Sequence, residues 1–83
     1  MKVFVGNLAL EAAEQDLLKV FQPFGQVELV NIAKTSGDGL SRGFGFVDLA
    51  SDVSGHAAIA GLNGTAMFGR RMKVSEARRK ESR

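Results

Sequence analysis

The segment Arg42-Gly43-Phe44-Gly45-Phe46-Val47-Asp48-Leu49 constrains the fold more than any other stretch of the chain. In a β-strand, successive side chains point to opposite faces of the sheet. One face of this strand therefore carries Gly43, Gly45, Val47 and Leu49. The other carries Arg42, Phe44, Phe46 and Asp48. The aliphatic set belongs against a core, and glycines within it are expected to let a helix approach closely. The charged set belongs against water, and it takes two phenylalanines with it. A lone phenylalanine in a strand reads as core. The company of Arg42 and Asp48 overrides that reading for Phe44 and Phe46.

Residues 2–6 repeat the pattern, with Val3 and Val5 on one face and Lys2 and Phe4 on the other. Val3-Phe4-Val5 is apolar throughout, so Phe4 alone leaves both placements open. From Ala13 to Gln22 a helix is expected, because Leu17, Val20 and Phe21, with Phe24 beyond, recur on one helical face. Glu14 and Asp16 suit the positive end of its dipole. Ala13 is a poor cap, and Pro23 and Gly25 stop the helix. A second strand spans residues 26–33. Its apolar residues (Val27, Leu29, Val30, Ile32) do not alternate cleanly, so a bulge is expected.

Residues 34–42 are polar and glycine-rich and read as a loop, followed by a third strand at 43–49. A second helix over 53–62, capped by Ser51 or Asp52, turns Ala58, Ile59 and Leu62 inward. Gly55 and Gly61 weaken it by roughly 1 kcal/mol each. Asn63-Gly64 ends it, and residues 71–76 alternate as a half-buried fourth strand. Phe21, Phe24 and Phe68 are expected in the core.

The order strand, helix, strand, strand, helix, strand implies an α+β, ferredoxin-like βαββαβ sandwich. That is one four-stranded antiparallel sheet with both helices on one face. Right-handed crossovers place the helices together, and the opposite face stays open. The 83 residues make one domain over 1–77 and a short basic tail over 78–83. The net charge of +2 conceals an asymmetry: the tail holds four basic and one acidic group, and residues 1–77 hold seven basic and eight acidic ones.

Zero cysteine excludes a disulfide scaffold, a thiolate metal site and a cysteine nucleophile. No signal sequence or membrane-spanning run is legible, so a cytoplasmic protein without a membrane partner is expected. Asn63-Gly64-Thr65 reads as a turn. His56 has no partner at ligand spacing, so no metal site and no cofactor are expected. No catalytic constellation is legible, and no enzyme is expected.

If the first and third strands are neighbours, Phe4, Phe44 and Phe46 share one open surface with Lys2 and Arg42. Exposed ring clusters mark interaction sites. Every nucleobase has a π-face, and a flat ring accepts one for about 1–3 kcal/mol. Lysine and arginine beside the rings attract phosphates. Single strands suit the surface because their bases can be splayed onto it. Lys73 and Ser75 on the fourth strand are either further base or phosphate contacts or plain solvated residues. Arg78, with Arg79 and Lys80, is either a loose charged end or a segment lying along the bound strand.

The chain resembles the RNA recognition motif family over residues 2–77. Residues 42–49 match the family's octapeptide, Lys/Arg-Gly-Phe/Tyr-Gly/Ala-Phe-Val-any-Phe/Tyr, except that Leu49 replaces the last aromatic. Val3-Phe4-Val5-Gly6-Asn7-Leu8 looks like its hexapeptide, about 40 residues earlier. Phe21-Gln22-Pro23-Phe24-Gly25 and Gly69-Arg70-Arg71-Met72-Lys73-Val74 are also similar to family patterns. Leu49 faces the helices, so its departure bears on packing. In length the chain resembles the small single-domain bacterial members, cyanobacterial ones included.

The resemblance implies single-stranded RNA binding, with stacking on Phe4, Phe44 and Phe46 and a phosphate contact at Arg42. Lys2, Asn7, Asp48, Lys73, Ser75 and Arg78 complete the candidate RNA-binding residues. Single-stranded DNA is not separated from RNA, and a monomer is expected. The alternative is a protein-interaction module on the same scaffold. Cold-shock domains share similar strands on a β-barrel, but there the glycine-phenylalanine strand comes first. Gly37-Asp38-Gly39 opens no helix and reads as loop. Gly61-Leu62-Asn63-Gly64, although it matches a KH-domain clamp, reads as a helix end.

Overall fold

The computed structural model describes residues 1–37 and 39–77. Two β-branched, aromatic-containing segments pair at its centre, β1 (Lys2–Gly6) and β3 (Ser41–Leu49). Their antiparallel register sets Val3 opposite Val47 and Phe4 opposite Phe46. The sheet is completed by β2 (Val27–Lys34) beyond β3, and by the last strand, β6 (Lys73–Glu76), beyond β1. The pairings are all antiparallel. Helices α1 (Glu14–Phe21) and α2 (Asp52–Leu62) follow β1 and β3.

The inward residues of the strands and the apolar stripes of both helices form one core. Val3, Val5, Val47, Leu49 and Val74 pack with Leu17 and Phe21 of α1 and with Ala58 and Leu62 of α2. Leu49 is 1% exposed, so the aliphatic side chain at this position is enclosed in the core. Both helices therefore share one face of the sheet, as the βαββαβ order predicts.

Local chemistry explains the helix ends. Ala13 offers α1 no side-chain acceptor, but Asp16 reaches back and accepts the Ala13 N–H at 2.8 Å. This is one half of a capping box. Glu14 ties the same turn to β2, accepting the Ile32 N–H at 3.3 Å and facing Lys34 Nζ at 3.4 Å. In α2, Ser51 Oγ accepts the Ser54 N–H at 3.1 Å. Its glycines receive neighbours: Phe24 packs over Gly61, and the Met1 side chain packs over Gly55.

The structure corrects several expectations. Gly45 accommodates a strand, not a helix: a β-carbon there would lie 2.6 Å from the Asn31 carbonyl oxygen and 3.0 Å from the Ile32 Cα. The β2 backbone crowds it at the point where the β2–β3 register shifts, between Ile32 and Lys34. A second shift, between Val27 and Leu29, accounts for the broken alternation in β2. The loop is shorter than 34–42, because Lys34 and Ser41 already pair.

The fourth-strand expectation at 71–76 divides in two. Arg70–Arg71 (β5) pairs with Ala66–Met67 (β4) in a small separate hairpin, and β6 begins only at Lys73. Phe68 and Gly69 form its turn, with φ of 53° and 82°. Both being positive, they match the two-residue type I′ geometry. Phe68 is consequently no core residue and is 52% exposed. Phe21 and Phe24 do pack in or against the core.

Two predictions follow from this packing. Gly45→Ala should destabilise the fold by about 1–3 kcal/mol, because the clash is with backbone. Urea denaturation with an unchanged midpoint would contradict it. For Glu14, partial burial pushes the carboxyl up, but the Ile32 and Glu14 amides and the Lys34 ammonium outweigh it. The result lies below the ordinary 4.5. A carboxyl with a lower pKa in the folded state stabilises above its unfolded value, and this is lost as pH falls through the folded value. Thermal midpoints of the parent and Glu14→Gln should therefore converge on acidification below 4.5. A gap independent of pH would contradict this.

Candidate nucleic-acid interface

The β1–β3 register brings the open-face rings into mutual contact. Phe4 and Phe46 are directly opposite each other, with centroids 5.7 Å apart and planes inclined at 61°. Phe44 joins them at 6.0 Å from Phe4 and 6.2 Å from Phe46, the latter edge-to-face at 88°. Edge-to-face and tilted arrangements suit the ring quadrupoles. All three rings are only partly buried.

Each end of the cluster carries a cation. Lys2 Nζ lies 5.6 Å from the Phe46 centroid, and Arg42 Cζ lies 5.8 Å from that of Phe44. Such contacts contribute about 0.5–1 kcal/mol where exposed. Asp48 faces Lys2 across the ladder and lies 3.7 Å from the α-amino group of Met1. Ser75 is opposite Phe4, and Lys73 is opposite Gly6. The open face thus gathers Lys2, Phe4, Arg42, Phe44, Phe46, Asp48, Lys73 and Ser75.

Two open-face residues were not anticipated: Leu29, exposed and opposite Asp48, and Asn31. Asn31 pairs with Phe46, extending the row Ser75, Phe4, Phe46 across the whole sheet. The bulges in β2 scramble its parity, so period-2 counting could not place Asn31. The register with Phe46 is the signal that does.

Asn7 is used differently from its open-face neighbours. It follows β1 with φ 53°, a left-handed conformation that asparagine tolerates better than most residues. Its amide is engaged at both ends. Nδ2 donates to the Arg71 carbonyl at 2.7 Å, and Oδ1 accepts from the Arg70 guanidinium at 2.8 Å. Asn7 thereby ties the β4–β5 hairpin to the end of β1. Arg78 lies outside the described residues. Among the described residues no group of acidic, histidine or cysteine side chains is arranged to hold a metal ion. No described helix is long and apolar enough to cross a membrane.

The RNA recognition motif family matches residues 3–73. RbpA of Synechocystis sp., provisionally named an RNA-binding protein, is 41% identical over 83 residues, which is 100% of this chain and 82% of that one. The crystal structure of RNA Binding Protein PG1 superposes with a TM-score of 0.92 at 33% identity, covering 99% of each chain. The SXL-lethal protein/RNA complex gives a TM-score of 0.91 at 30% identity, over 95% of this chain and 47% of that one.

The double role of Asn7 can be separated by mutation. Asn7→Gly keeps the left-handed backbone free and removes both amide bonds, and should cost about 1 kcal/mol. Asn7→Ala also strains the backbone and should cost about 1 kcal/mol more. In both variants the hairpin amide of Met72 should exchange with solvent faster than in the parent. Equal stabilities of the two variants would show that φ plays no part.

Proposed function

The chain belongs to the RNA recognition motif family, and on that premise we propose that it binds single-stranded RNA across the open face of its sheet. One observation carries the reading. Three phenyl rings lie within 6.2 Å of one another on a solvent-facing sheet, with a cation at each end. The names of RbpA and of the SXL-lethal complex support RNA as the polyanion.

In this mechanism two or three bases of a splayed strand stack on Phe4, Phe44 and Phe46. Lys2 and Arg42 move from the ring faces toward the phosphates that accompany each stacked base. Lys73 and Ser75 extend this contact along β6. The Asp48 carboxylate and the Asn31 amide offer hydrogen bonds to base edges. The activity is binding, with no bond made or broken.

Phe44→Ala combined with Phe46→Ala should leave the fold in place, because neither ring belongs to the core. It should weaken RNA binding by about 1–3 kcal/mol for each stack removed. A folded double variant that binds as tightly as the parent would overturn the stacking mechanism. Affinity should also fall with salt, the logarithmic slope being about −0.7 for each phosphate contacted. Chemical-shift changes confined to the helices would favour a protein partner. Equal affinity for DNA of the same sequence would show that the 2′-hydroxyl is not read.

A further inference from the structure

The β4–β5 hairpin holds the one aromatic ring whose position neither the core nor the sheet face explains. Phe68 occupies the first turn position with φ 53° and stands 52% exposed. Type I′ turns favour asparagine, aspartate or glycine at this site, and a bulky side chain there is strained. The fold covers this phenyl group only in part and leaves it outside the core, so burial offsets little of the strain. Backbone strain of this kind concentrates at binding sites.

Its surroundings identify what it would meet. Arg70 and Arg71 follow directly, and both are exposed. Arg70 is held in place through one hydrogen bond to Asn7. A guanidinium carries five N–H donors, so others remain available to a phosphate. Asn7 follows Gly6, and Gly6 pairs with Lys73 on the open face. Lys73 therefore stands beside the end of β1 on the open face, and Arg70, bonded to Asn7, brings the hairpin and its turn residue Phe68 to that same end. No carboxylate interrupts residues 64–75.

We propose that the hairpin is a second stacking site for the same strand of RNA. Phe68 takes one base beyond those on the sheet, and Arg70, held at the end of β1 by Asn7, meets the phosphate that links the two. This inference rests on the RNA-binding reading and lengthens its footprint past the edge of the sheet. The partner is a polyanion with flat, apolar rings, which is the chemistry that Phe68 and its arginines complement.

The test uses Phe68→Asn in the full chain. Asparagine suits the left-handed turn and removes the ring, so the variant should unfold at a higher temperature than the parent. Binding is compared by anisotropy on an oligouridylate of about three nucleotides, enough for the sheet rings alone, and one of about ten. The parent should bind the longer oligonucleotide more tightly by more than site statistics allow. The variant should bind the shorter one unchanged and the longer one at least about fivefold more weakly. If both affinities equal those of the parent, the hairpin site is overturned while the sheet reading stands. If the parent binds neither oligonucleotide, the sheet reading itself fails and the hairpin site fails with it. A Phe68→Asn variant that loses affinity equally for both lengths would also overturn the hairpin site, because the ring would then act on the sheet as a whole.

Discussion

Everything else in this molecule depends on the pairing of β1 with β3 in a single register. Val3 meets Val47 and Phe4 meets Phe46. A slip of one residue would turn one strand over against the other, carrying its phenylalanine side into the core and its valines onto the open face. The core forbids that slip, because Val3, Val5 and Val47 are fully buried against the two helices. The aliphatic face thus holds the aromatic face in place. The rings contribute little to the core, yet their arrangement follows from it.

The architecture was legible because the charged residues of β3 fix its two faces and because Leu17, Val20 and Phe21 mark the buried side of α1. Phe44 and Phe46 were placed on the open face for a physical reason, the charged residues that share their parity, and Phe4 joined them only if β1 and β3 are neighbours, which the register shows. What escaped had equally physical causes. In β2 two register shifts break the period, so Asn31 could not be assigned to a face. In the hairpin, Met67-Phe68-Gly69-Arg70 lacks the usual Asn-Gly signal, and its flanking strands are two residues each. Phe68 therefore read as one more core ring, and Arg71 as the beginning of the last strand.

Gly45 and Asn7 show how backbone constraints surround the site. Gly45 separates the two rings of β3 in sequence, and its missing side chain lets the bulged β2 approach from the side. Asn7 ends β1 three residues after Phe4 and turns the chain while holding the hairpin by its amide. Neither residue offers the open face a side chain of its own. Each governs what stands next to it: the spacing of the phenylalanines in one case, the reach of two arginines in the other.

The cations resting on the rings have one further effect, on the free protein. An uncovered cluster of three phenyl groups is a surface on which two copies of a chain could adhere. Here Lys2 and Arg42 lie over the outer rings. Bringing two such faces together would press like charges against each other in a drying interface, which is costly. The rings are therefore not bare. Anything apolar that settles on Phe44 or Phe46 must first displace a cation from its ring, so the charge stands between the rings and any contact they make.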